Sequence, residues 1–177
     1  MKRNEPSVQG CHVILRMKPT VIVKGKCLDV IDEHNKLFDK TKLVGVGKYG
    51  LPWRRPRCSE FNNAIKNGVP TYLFIVVKAS AGYKGFRAPI RVISISGELK
   101  ELGMLFPEYY NEIRRLPMIH DSVPTREPSM WFVIGGRLQP HSLADLTLLS
   151  NNRPLLDVLS KPCRSSAMIV RKRKKSQ

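Results

Sequence analysis

The apolar positions fall into short runs broken by glycine, proline and charge. The strongest run is 72–77, Tyr-Leu-Phe-Ile-Val-Val, aromatic and β-branched without a breaker, which predicts a central strand. Ile90, Val92, Ile93 and Ile95 largely alternate with Arg91 and Ser94 and predict a second strand. Gly82, Gly85 and Pro89 punctuate the stretch between and predict a long loop. That loop would carry Lys84 and Arg87 beside Tyr83 and Phe86.

The rest of the chain adds shorter elements. Residues 12–24 read as two short strands joined near Pro19. The spacing of Leu28, Ile31, Asn35 and Phe38 predicts a helix over 27–40, with acids early and lysines late. His34 falls among exposed-type positions of that helix. Gly45, Gly47 and Gly50 lie in an apolar stretch. It matches neither a Walker loop, since Tyr49 follows Lys48, nor a dinucleotide loop, since Pro52 interrupts it; a glycine-bearing strand and turn is expected. A short helix follows over 60–67, and a two-piece helix is expected over 98–116. Residues 117–128 read as a loop, 130–134 as a strand, and 143–149 and 155–159 as a closing strand or helix. The expected fold is α+β: one domain over 11–160, a twisted, mainly antiparallel sheet with the two principal helices packed on it. Residues 1–10 are expected as a flexible arm, and 161–177 as a basic disordered tail.

Charge changes the picture most. Lysine and arginine number 31 against 14 acids, a net charge of +17 in 177 residues. Such an excess predicts an anionic partner, nucleic acid or an anionic membrane surface. Three clusters carry it. Trp53 is flanked by Arg54, Arg55 and Arg57, Lys84 and Arg87 lie in the expected loop, and Arg171, Lys172, Arg173, Lys174 and Lys175 form an unbroken run. These eleven residues are the expected membrane- or nucleic-acid-binding positions. Trp53 has two readings, a ring stacked on a base or at a lipid headgroup layer, and a core anchor.

Catalytic and metal chemistry have little support. No GxSxG, HExxH or paired-carboxylate motif occurs, and His120-Asp121-Ser122 are neighbours in sequence rather than a triad. Four scattered cysteines lack metal-ligand spacing. A non-enzymatic protein with no cofactor and no metal is expected. No apolar run approaches a membrane span, and no secretory leader is expected, which places the chain in the cytosol or nucleus.

The order Val13-Ile-Leu-Arg-Met, Lys24-Gly-Lys, helix 27–40 and Val44-Gly-Val-Gly-Lys resembles that of a rhabdovirus matrix protein, in particular the small matrix proteins of plant cytorhabdoviruses. The resemblance covers mainly the first hundred residues. It implies a virion structural protein that bridges anionic membrane and viral ribonucleocapsid, self-associates, meets the viral glycoprotein and drives assembly and budding. It also implies residence in the virion, the host cytoplasm and the inner face of host membranes, with nuclear entry through the basic tail. Pro107-Glu-Tyr and Pro124-Thr-Arg-Glu depart from the PPxY and PTAP motifs that recruit sorting machinery. The alternative, from charge alone, is a non-enzymatic, sequence-independent RNA-binding protein.

Overall fold

A central strand can be apolar at every position only if both of its faces are covered. Tyr72–Ala79 meets that condition: Leu73, Ile75 and Val77 enter one core, Phe74 and Val76 another, and all five are buried. A computed structural model describes residues 7–95, 105–110, 128–161 and 167–173. Its elements are β1 Cys11–Met17, β2 Thr20–Val23, β3 Lys26–Asp29, α1 Val30–Thr41, β4 Val44–Lys48, α2 Arg55–Lys66, β5 Tyr72–Ala79, β6 Gly82–Ile95, β7 Met130–Ile134, β8 Gln139–Pro140, β9 Leu146–Leu148, α3 Leu155–Leu159 and β10 Ala167–Lys172.

Eight strands form one sheet in the order β4-β7-β6-β5-β1-β10-β9, with β8 paired to β6; β2 and β3 form a separate hairpin. Among the described strands only the β1–β5 pair is parallel, so the sheet is mixed and mostly antiparallel. Helices α1 and α2 contact it. The protein is a single α+β domain, as the hydrophobic pattern predicts. Among the described residues no helix is long and apolar enough to cross a membrane.

Each helix is tied down by an asparagine amide. Asn35 donates to the Leu138 carbonyl at 3.1 Å and accepts from its N–H at 2.8 Å. Asn62 makes the same pair of bonds with Ile93, both at 2.8 Å. The second pair adjoins a bulge: the β6–β7 register shifts between Ile90 and Val92, making Arg91 the extra residue. The shift lets Ala88 and Ile90, then Ile93 and Ile95, face the same core.

Several boundaries differ from expectation. Helix α1 begins at Val30 because Asp29 caps it, accepting from the Asp32 N–H at 3.0 Å; residues 26–29 become the return strand of a hairpin turned at Lys24-Gly25, both at positive φ. Helix α2 begins at Arg55, because Pro56 lies in its first turn, where its missing N–H leaves no intrahelical bond unmade. Of the helix expected over 98–116, only residues 105–110 are described. There Leu105 bridges Val44, and the Tyr110 hydroxyl accepts from the Gly47 N–H at 2.9 Å. A Cβ at Gly47 would lie 2.9 Å from that tyrosine ring and 2.6 Å from Pro128, so β4 needs glycine there for packing, not for phosphate.

His34 is fully buried, not solvated. Its Nδ1–H donates to the Val30 carbonyl at 2.7 Å, and its ring meets Tyr109 and Tyr110 edge-on. The expected N-terminal arm is also packed at its described end: Val8 is buried and its N–H donates to Glu60. The largest correction concerns the tail. Residues 167–172 are strand β10, inserted between β1 and β9, with Val170 fully buried. Ala167, Met168 and Val170 supply the apolar surface that lets a basic segment enter a sheet.

Candidate polyanion-binding surface

The basic residues of β6 sit on a strand, not a loop. The β5–β6 connection is only residues 80–81, with Ala79 opposite Gly82, and Gly82 takes the positive φ of 118° that the tight turn requires. Lys84 pairs with Val77 and Arg87 with Phe74. An odd spacing on a strand sends the two to opposite faces. Arg87 shares the face of Phe74, and its guanidinium lies 4.5 Å from the centre of the Tyr72 ring.

Strand β10 divides its charge in the same way. Lys172 shares the face of Val170 and Met168, which is the face of Phe74 and Arg87. Arg171 takes the other face. It donates to the Asn152 side chain at 2.5 Å, and its charge acts on Cys11 together with those of Arg57 and Glu60 near α2. Arg173 is exposed, and its N–H donates to the Asp145 carbonyl at 2.7 Å. Lys174 and Lys175 lie outside the described residues.

The third cluster opens helix α2. Arg54 and Arg55 are exposed, while Arg57 is largely covered and pairs with Glu60 at 3.0 Å. Trp53 is half-buried. It stacks on Phe61 at 5.6 Å, meets Phe132 edge-on at 5.7 Å, and so anchors the loop to the core. A groove of about 410 Å³ joins Trp53, Arg54 and Arg57 to Ile169 of β10. Trp53→Ala is expected to lower stability by about 3 kcal/mol, the loss from a well-packed tryptophan. An unchanged melting temperature beside weakened RNA binding would instead make Trp53 a contact residue.

The loop before Trp53 is built on an unusual cation. Lys48 is 5% exposed, and its ammonium donates to the carbonyls of Tyr49 at 3.2 Å and Leu51 at 2.5 Å. Burial pushes its pKa down.

Two histidines join the sheet face that bears Arg87 and Lys172. His12 is 6% exposed, and its ring lies 5.3 Å from Tyr72 and 5.8 Å from Phe74. His141 reaches the same Phe74 ring at 5.5 Å. Burial lowers the His12 pKa to about 4; the charges of Lys172 and, less strongly, Arg87 act in the same direction, while a hydrogen bond to the Cys11 carbonyl opposes them. Burial also lowers that of His141; Arg87 and Lys172 act in the same direction and Asp145 against them. Both rings are therefore neutral at pH 7.

The structure thus brings Arg87 and Lys172 together, sets Arg171 toward the α2 arginines, and separates Lys84 from Arg87. Sequence reasoning missed His12 and His141. The one available signal was the placement of His12 among apolar strand positions, which marks burial but names no neighbours. Among the described residues no three His, Cys, Asp or Glu side chains are grouped to hold a metal. Comparison with family models, curated proteins and solved structures finds no match to this chain.

Proposed function

We propose that this protein is a non-enzymatic viral matrix protein that bridges an anionic membrane surface and the viral ribonucleocapsid. The observation that carries this reading is the position of β10. It presents Lys172 beside Arg87 on one face of the sheet, and Arg171 toward Arg57 and the N-terminus of α2 on the other. Two basic surfaces separated by the thickness of a sheet suit a protein held between two polyanions. The binding is electrostatic and multivalent, and each weak contact gains from local concentration once the protein lies in a layer of its own copies. The resemblance of the first hundred residues to rhabdovirus matrix proteins supports the same reading. It adds self-association, the viral glycoprotein as a partner, and a location in the virion and at the inner face of host membranes, with nuclear entry through the C-terminal basic run.

Flotation with anionic liposomes in the absence of nucleic acid separates this reading from that of a dedicated RNA-binding protein, which would stay at the bottom of the gradient. A salt series on two unrelated single-stranded RNAs tests the electrostatic mechanism. With about five phosphate contacts, the slope of log K against log salt is expected near −3.5, or about a hundredfold loss from 50 to 200 mM salt. Both RNAs should follow the same line. A strong preference for one of them at high salt would overturn the mechanism.

A further inference from the structure

Three groups from three segments lie against the Tyr72 and Phe74 rings, His12 of β1, Arg87 of β6 and His141 after β8, and the charge of Lys172 of β10 acts on both histidines. Resting on the RNA-binding half of the function proposed above, we propose that this corner seats one phosphate group of a single-stranded RNA.

The corner is short of negative charge. Neither Arg87 nor Lys172 makes an ion pair among the described residues. The groups whose charges act on His12 are Lys172, Arg87 and His141, with no acid among them; Asp145 is the one acid that acts on His141. The corner also holds a poorly satisfied polar ring. His12 Nδ1 is sealed from solvent with no well-aligned hydrogen bond, the Cys11 carbonyl being the one acceptor that acts on the ring, and such buried groups are normally paired. A phosphate oxyanion supplies the missing negative charge to Arg87 and Lys172 and an acceptor for the N–H of the half-exposed His141 ring.

The shape favours a flexible strand over a bilayer. His12 is 6% exposed and Arg87 lies down across Tyr72, so the site is recessed and a flat array of headgroups passes over it. From His141 an open groove of about 770 Å³ continues to Tyr83, which lies on the same face of β6 as Arg87 and gives the neighbouring nucleotide an aromatic side chain. Binding is linked to protons. Burial first, and then the charges of Lys172 and Arg87, hold the imidazoles neutral; a bound phosphate offsets the charge repulsion, so affinity rises as pH falls from 7 toward 5.5.

The test follows the ring protons of the four histidines by NMR in the full-length protein at pH 6. Inorganic phosphate is titrated against sodium chloride at equal ionic strength, then a uridine octanucleotide, then phosphatidylserine vesicles. Saturable shifts at His12 and His141 with phosphate, and the same shifts at about tenfold lower octanucleotide concentration, are expected. Lys172→Gln and Arg87→Gln, checked as folded by thermal melts, should each weaken phosphate binding about fivefold or more. Shifts that merely track ionic strength, or unchanged affinity in both variants, would overturn the site. Vesicles that displace phosphate would overturn the choice of RNA in favour of a lipid headgroup. RNA binding that leaves both histidines unmoved overturns the corner alone, whereas phosphate binding without RNA binding overturns the RNA assignment together with that half of the proposed function.

Discussion

Removing residues 167–177 is expected to abolish cooperative unfolding. The deletion takes the buried side chains of Ala167, Met168 and Val170 out of the core, together with half-buried Ile169. At roughly 1.5–3 kcal/mol for each large apolar side chain, the transfer term alone is on the order of 5 kcal/mol. Loss of the strand also bares the facing edges of β1 and β9, whose backbone groups pair with it from Cys11 to Leu15 and from Leu146 to Leu148. The total is comparable with the whole stability of a typical domain. Circular dichroism melts of the truncated and full-length proteins provide the measurement. A graded variant keeps the result readable if the truncation does not express: Val170→Ala, at a fully buried position, should cost about 2 kcal/mol and leave the fold intact. A truncated protein with a wild-type melt would show that β10 is dispensable. Binding experiments on such truncations would confound lost charge with lost structure, so charge-removing substitutions at Arg171 and Lys172 are the sounder probe.

Acidification from pH 7.5 to pH 5 is expected to destabilise the protein by about 4 kcal/mol through two buried histidines. His12 and His34 both have pKa values lowered to about 4 from an ordinary 6.5, burial being the main cause for each. A base with a depressed pKa is held neutral by the fold, while the unfolded chain takes up its proton near pH 6.5. Between pH 6.5 and 4 the unfolded state therefore binds more protons, and stability falls as pH falls. Each histidine contributes about 2 kcal/mol by pH 5 and about 3 kcal/mol once fully titrated. His34 is the clearer case. Its Nδ1–H is committed to the Val30 carbonyl, and Nε2 is buried without a partner, so a second proton would have nothing to bond. Denaturant melts across this pH range test the expectation, and His34→Gln should remove about half of the slope. A stability flat from pH 7.5 to 5 would show that neither ring is held neutral.

These two results bear on the same corner of the molecule, because β10 both completes the sheet and brings Lys172 within reach of His12. Stability and anion binding are coupled there: acid weakens the fold through His12, and a bound phosphate would offset part of that loss by binding the native state alone.

Periodicity along the sequence determined the α+β class, the central position of β5, the strand character of the glycine-bearing β4, and helix α1 to within three residues at its start. Such features follow from local patterns, because an apolar run of this length without breakers has few other solutions. Net charge likewise determined the class of partner worth proposing. Tertiary structure alone decided the rest. The run Arg171-Lys-Arg reads as a disordered tail when counted by charge. Yet Ala167, Met168 and Val170 just before it are enough to draw it into the sheet once β1 and β9 offer edges on both sides. Lys84 and Arg87 read as one basic cluster until the two-residue turn sets their register and sends them to opposite faces. His34 looked solvated because its burial depends on Tyr109 and Tyr110, about 75 residues away in the chain. His12, Arg87, His141 and Lys172 span nearly the whole sequence, and no spacing rule connects them. Their meeting depends on a parallel β1–β5 pair and an inserted C-terminal strand, which are long-range pairings that local sequence does not encode.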